Sequence, residues 1–210
     1  MQQYFIEIEK HLLKDPKPSV YLEQFFSSII SKEPPFSMLQ KLKTTKQSPT
    51  HHPEGSAWNH TMLVVDYAAK LRNKSKDPKA YMWSALLHDI GKPNTTRVRK
   101  GKITSYDHDK VGAELAEEFL QFFELDNAFV QTVCNLVRYH MHILFVVNNL
   151  PFRDLKGMKK NTDLNELALL GFADRMGRLN VNEKEVAKVI EKFKEKSTDM
   201  VETHQLNGKK

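Results

Sequence analysis

One cysteine, Cys134, stands in the whole sequence. It allows no intramolecular disulfide and excludes a zinc site built from thiolates, so it reads as core filler in a reducing compartment. Glycine is scarce, with 8 residues in 210, which sets the chain apart from disordered and fibrous sequences. No apolar run approaches the length needed to cross a bilayer. The opening MQQYFIEIEK is acidic and amphipathic, where a secretory leader needs a basic end and a continuous apolar stretch. A cytoplasmic protein without membrane contact is therefore expected. Strand-like alternation is nearly missing, and neither an internal repeat nor a low-complexity segment is present.

What is present suffices for one domain with a real core, plus at most a small appendage: 210 residues, 40% apolar and 28% charged. The formal net charge of +6 favours polyanionic ligands. Part of it has a plainer reading, because the lysines of residues 184–196 equally well solvate a helix face.

Apolar residues recur at three- and four-residue spacing along most of the chain, which predicts helices with one buried face. Residues 21–30 carry Tyr21, Leu22, Phe25, Phe26, Ile29 and Ile30, a broad stripe expected to pack on the body. Residues 34–55 are rich in Lys, Thr, Ser and Pro and predict an irregular connection with a short helix at 37–42. This divides the chain into an N-terminal helical accessory segment, 1–50, and a main domain, 51–210.

In the main domain His60, Val64, Tyr67 and Leu71 share a helical face. Pro78 stands at a first helical turn ahead of Met82, Leu86 and Ile90, and Gly91 and Pro93 are expected to stop that helix. TTRVRKGKITSY, residues 95–106, has the chain's only hairpin-like alternation, with Lys100-Gly101 at its turn, and is assigned as an exposed loop. Helical spacing returns with Val111, Leu115 and Phe119, then Val130, Val133 and Val137, then Leu164, Leu167 and Leu170, and finally Val186, Val189, Ile190 and Phe193. The fold class expected is all-α, a single helical bundle.

Nine histidines are present, several beside aspartates or on the polar margins of apolar helices. His88-Asp89 closes the run WSALLHDIGKP, which places two potential ligands at the end of a buried helix, where packing fixes the chain. A lone histidine on an apolar helix is more often a core residue than a ligand. Here His60, His88, Asp89, His108, His140 and Asp174 recur on successive helices. Imidazole mixed with carboxylate suits a divalent first-row ion and disfavours a pure Ca²⁺ or Mg²⁺ site, which needs mostly oxygen.

The order His60, His88-Asp89-Ile90-Gly91, Asp174 resembles the HD superfamily of metal-dependent phosphohydrolases in its HDIG spelling. The segments HHPEGSAWNHTMLVVDYA, ALLHDIGKP, DHDKVGAELA, VRYHM and LALLGFADRMGR are similar to the HD domain attached to some bacterial tRNA nucleotidyltransferases, over roughly residues 51–180. The resemblance implies a helical HD domain carrying one or two divalent ions (Mn, Ni, Co, Fe, Zn or Mg). The ligands implied are His60, His88, Asp89 and Asp174, with His108 and His140 on a second ion and Asp89 bridging. It further implies a phosphodiesterase or phosphatase acting on nucleotides, 2',3'-cyclic nucleotides or RNA ends, with Asp89 and Lys92 catalytic and Lys92 and Arg175 contacting substrate phosphate. Arg178 and Arg138 are further cations with a surface-pairing alternative, and His142 is a weaker ligand candidate, two residues from His140. His51, His52 and Glu54 either line the mouth or belong to an ordered loop.

No Gly-Ser or Gly-Gly phosphate loop precedes a carboxylate pair, so no nucleotide-adding activity is expected. Asp107-His108-Asp109 has the carboxylate spacing but no glycine-rich segment before it. The alternative is a nucleotide- or RNA-binding module with the same fold and no turnover; the presence of all four ligands argues against it. A hydrolase of a signalling nucleotide is a third possibility, and the Gly-Tyr-Pro motif of the cyclic-dinucleotide branch is missing.

Overall fold

A computed structural model describes residues 1–199; residues 200–210, the end of the predicted main domain, lie outside the described residues. Among the described residues the fold is all-α apart from one small hairpin.

α1 (Gln2–Lys14) buries Phe5, Ile8 and Leu12, one residue per turn along one stripe. Phe5 stacks on Trp83 with ring centroids 4.2 Å apart. α2 (Ser19–Phe25) is fastened at its start by Ser19, whose backbone N–H and hydroxyl both donate to the Asp66 carboxylate, at 2.9 and 2.7 Å. The predicted stripe is cut short there. The helix ends at Phe25, and the turn that follows leaves Ile29 81% exposed while Leu22, Phe25 and Phe26 are buried. α3 (Ser37–Gln40) runs into a 3₁₀ turn, Lys41–Thr44, and contributes Leu39 and Leu42 to the core. Two buried tryptophan N–H groups end on N-terminal carboxylates, Trp83 on Glu9 at 3.2 Å and Trp58 on Glu23 at 2.7 Å, which satisfies their only polar atom.

α4 (Ala57–Leu71) starts at Ser56, whose hydroxyl accepts from Asn59 N–H. α5 (Pro78–Leu87) has Asp77 as its N-cap and Pro78 in its first turn. Every residue of α5 from Ala80 to Leu87 is buried, as expected for a helix surrounded by α1 and α4 and by partners further along the chain. α5 ends before Gly91 and Pro93. His88 to Gly91 form a turn, and Pro93 opens the short α6 (Lys92–Thr95) instead of stopping α5. Gly91 has a different purpose: a Cβ there would meet the His108 carbonyl oxygen and the Gly112 backbone.

Residues 96–105 correct the expected loop. β1 (Thr96–Arg99) and β2 (Lys102–Ser105) pair antiparallel with Thr96 opposite Ser105. Lys100 and Gly101 both take positive φ, 48° and 74°, the backbone that a two-residue hairpin turn of matching twist demands. The remaining helices are α7 (His108–Leu120), α8 (Asn127–Tyr139), α9 (His142–Val147), α10 (Leu155–Asn161), α11 (Leu164–Met176) and α12 (Glu183–Asp199). α7 packs on α8, α4 on α11, and α12 covers α9 and α11, while α8 and α11 complete the shell around α5. One apolar core runs from Phe5 to Phe193. Cys134 is buried within it, its thiol pushed up to about 12 by burial.

Candidate metal centre

The C-terminal ends of α5, α8 and α11 meet the N-terminal ends of α4 and α7, and each end delivers a ligand-type side chain. His88 and Asp89 follow α5, His140 follows α8, Asp174 lies in the last turn of α11, His60 in the first turns of α4, and His108 opens α7. All six are buried, with exposures of 7% or less. Their donor atoms form two groups of three, His60–His88–Asp174 and Asp89–His108–His140, each within 4.8 Å of one another. The two groups adjoin through His88 and Asp89, whose Nε2 and Oδ2 are 3.2 Å apart.

Backbone carbonyls set the imidazole tautomers. Nδ1 of His88 donates to Ala85 O at 2.8 Å, Nδ1 of His108 to Ser105 O at 2.6 Å, and Nδ1 of His140 to Val137 O at 2.6 Å. A carbonyl oxygen can only accept, so each ring has a proton on Nδ1 and turns Nε2 inward. This is how second-shell oxygens orient histidine ligands. Burial pushes His140 down to about 4, and the neighbouring His108 and His88 rings act the same way by disfavouring a second positive charge beside them. Burial also lowers His108, against the opposing pull of Asp89. Both are neutral at neutral pH, yet their Nε2 atoms face each other at 3.2 Å. Two acceptors at that distance call for a cation between or beside them. His88 Nε2 is likewise buried without a hydrogen-bond partner.

His60 is oriented differently, between two carboxylates. Nδ1 lies 2.9 Å from Glu54 Oε1 and Nε2 3.0 Å from Asp174 Oδ1. Burial works against its charge, but Asp174 and Glu54 together raise its pKa. Glu54 is held at about 2 despite burial, through its hydrogen bond to His60. Burial opposes ionisation of Asp174 as well, and the Arg178 guanidinium at 3.7 Å and His60 overcome it. For Asp89 the same opposition is overcome by His88 and by Lys92, whose Nζ lies 2.7 Å from Oδ2. The carboxylates are therefore ionised and the facing imidazoles of His108 and His140 neutral, the protonation states that metal ligands require, whereas His60, with its pKa raised between two carboxylates, would give up a proton to an ion. The mixed nitrogen and oxygen donors fit a first-row divalent ion.

A cavity of about 730 Å³ opens over four of the six ligand-type residues. Asp89, His108, His140 and Asp174 form one side with Lys92, while Tyr106, Leu144, Phe145 and Phe152 form an apolar wall. Its volume suits a nucleotide-sized ligand. His51 and His52 also line it; Glu54 is set back behind His60.

Arg175 is not among the cavity residues, and Arg178 is. Arg175, in the last turn of α11, is turned about 100° from Asp174, whereas Arg178 lies just past the helix end and its guanidinium folds back to 3.7 Å from Asp174. His142 also points elsewhere, its Nε2 accepting from Asp154 N–H at 3.1 Å. Arg138 donates to Asp109 at 2.7 Å and Asp107 pairs with Lys110, so both carboxylates flanking His108 are engaged with cations. Sequence reasoning left Glu54 undecided between mouth and loop and did not single out Gln47, whose Oε1 accepts from Lys92.

The HD domain family profile matches residues 57–179. The chain belongs to the HD domain family. All six ligand-type residues of this HD domain fall inside the matched span, while Gln47, His52 and Glu54 precede it. The chain is similar to the Multifunctional CCA protein of Actinobacillus pleuropneumoniae serotype 5b, 26% identical over 190 residues, covering 88% of this chain and 45% of that protein. The Multifunctional CCA protein of Pasteurella multocida is 32% identical over 146 residues, 68% of this chain and 33% of its own. The CC-adding tRNA nucleotidyltransferase of Thermus thermophilus is 31% identical over 141 residues, 66% of this chain and 31% of its own. The chain thus spans less than half the length of these relatives. Among the described residues no helix is long and apolar enough to cross a membrane.

Proposed function

We propose that this HD domain is a metal-dependent phosphohydrolase, a phosphodiesterase or phosphatase acting on nucleotides, 2',3'-cyclic nucleotides or RNA ends. The observation that carries the reading is the pair of neutral imidazoles, His108 and His140, facing each other with their lone pairs on the wall of a nucleotide-sized cavity. His60, His88 and Asp174 would hold one divalent ion and Asp89, His108 and His140 a second, with the Asp89 carboxylate between the groups. An ion so held brings the pKa of water toward neutrality and withdraws charge from a phosphoryl oxygen.

The chain's own groups do the rest. Lys92, fixed by Asp89 and Gln47, supplies a positive charge to a substrate phosphate, and Arg178 supplies another beside Asp174. Tyr106 and Phe152, both more than 60% exposed at the cavity, offer flat surfaces to a base. Arg97, Arg99, Lys100 and Lys102 are exposed on the hairpin whose β2 strand lines the cavity, a cationic flank suited to a longer polyanion such as an RNA end. The names of the relatives, which include a tRNA nucleotidyltransferase, point the same way. Residues 1–50 are an accessory segment to the main domain that begins at 51, seated on it through Phe5, Glu9 and Glu23.

The test is a hydrolysis screen over nucleoside monophosphates, 2',3'-cyclic nucleotides and RNAs ending in a phosphate, with each divalent ion in turn and Asp89→Asn as control. Turnover by the wild type and none by the variant is expected. Nucleotide binding with no turnover under any ion would replace the enzyme with a binding module.

A further inference from the structure

Three donors on residues lining the cavity are buried without a partner: Gln47 Nε2, Thr104 Oγ1 and Arg178 Nε. A buried donor left unpaired is costly, and native folds rarely tolerate one without a ligand or water to receive it. Donors orphaned around a cavity signal an anion, just as the lone pairs of His108 and His140 signal a cation.

Gln47 is the most constrained of the three. It is 7% exposed and lies in the irregular connection before α4, outside the span matched by the family. Its amide orientation follows from chemistry. Lys92 Nζ has only protons to give, so the atom it meets must be the amide oxygen. The NH₂ group is then the free end. Lys92 in turn is held on its other side by Asp89. Gln47 thus belongs to a chain, Asp89 to Lys92 to Gln47, that runs from the ligand groups to an unpaired donor in a residue lining the cavity.

We propose that Gln47 is a phosphate-binding residue: its amide oxygen orients Lys92, and its NH₂ donates to a phosphoryl oxygen beside the Lys92 ammonium. The proposal rests on the phosphohydrolase reading above and adds to it a substrate contact made by the N-terminal connection. Gln47 would make its full contribution only with an anionic ester in place.

The test compares wild type, Gln47→Glu and Gln47→Leu by calorimetric titration with inorganic phosphate, with metal content and melting temperature measured on each. Glu keeps an acceptor for Lys92 and replaces the donor with negative charge; Leu removes both. A phosphate-binding role predicts unchanged metal content, at least a tenfold loss of phosphate affinity in both variants, and a greater loss in Glu than in Leu. A role confined to holding Lys92 predicts the opposite order, with Glu close to wild type, and that result would overturn the proposal while leaving the phosphohydrolase reading intact. A wild-type protein that binds no phosphate would overturn the proposal, while the hydrolysis screen alone decides the phosphohydrolase reading. If Leu does not fold, the near-isosteric Gln47→Met takes its place in the comparison, because Glu removes the donor and adds a charge at once.

Discussion

Nε2 of His108 and Nε2 of His140 lie 3.2 Å apart, and each ring gives its Nδ1 proton to a backbone carbonyl three residues earlier in the chain. Neither nitrogen can donate to the other while both rings are neutral. The pair, with Asp89, could hold a cation, and α7 and α8 keep it in place by packing against each other.

Replacing His108 by Ala should therefore remove one ion per chain and most of the activity, while helical content stays at the wild-type level. Elemental analysis alongside circular dichroism reads both. Unchanged stoichiometry and rate would reduce His108 to a buried residue with no ligand role.

Lys92→Ala should lower kcat/KM for anionic esters roughly ten- to hundredfold, the usual worth of a charge-assisted hydrogen bond, with metal content unchanged. The buried pairing with Asp89 rules out the plainer view of this lysine as a solvated helix end. Wild-type kinetics on every phosphate ester would remove it from the substrate site.

The His88-Asp89 pair could be read in the sequence because it is local: it adjoins a helix buried all round, with Gly91 in the turn that follows. Helix existence was legible for the same reason, since spacing such as Phe5, Ile8 and Leu12 directly records burial. Three features were not. The hairpin at 96–105 shows alternation, but its length is too short for alternation to outweigh the charged residues around it. Arg178 and not Arg175 reaches the cavity because α11 ends at Met176 and the chain past it turns Arg178 back toward Asp174, which no helical period records. Glu54 and Gln47 sit in irregular chain, where no period tells which side chains turn toward the core.

Glu54→Gln tests the outer shell. Glu54 is held at about 2 by His60 despite burial, so it is a full charge beside the Nδ1 of a ligand-type ring. Its neutral counterpart should weaken metal binding about ten- to hundredfold, the range typical of lost second-shell partners. Titration against a competing chelator measures this. Equal affinity in the two proteins would show that Glu54 does not orient His60.

His142 gives a pH signature independent of the metal centre. Burial, aided by Arg138, holds its pKa at about 4 against an ordinary value of 6.5. Between these values the unfolded chain binds more protons than the folded one, so stability falls as pH drops from about 6.5 to about 4. The contribution is on the order of 3 kcal/mol. Chemical denaturation across this window should show a shallower decline for His142→Gln than for wild type. Parallel curves would mean that His142 takes up its proton without cost to the fold.

The central claim is that hydrolysis depends on an ion held by these helix ends, and the most direct measurement is ester hydrolysis by one sample assayed as purified, after chelation and after restoring a divalent ion. The account predicts activity lost on chelation and regained with the ion, with Asp89→Asn inactive throughout. Full activity in the chelated protein, with elemental analysis showing it free of metal, would contradict it.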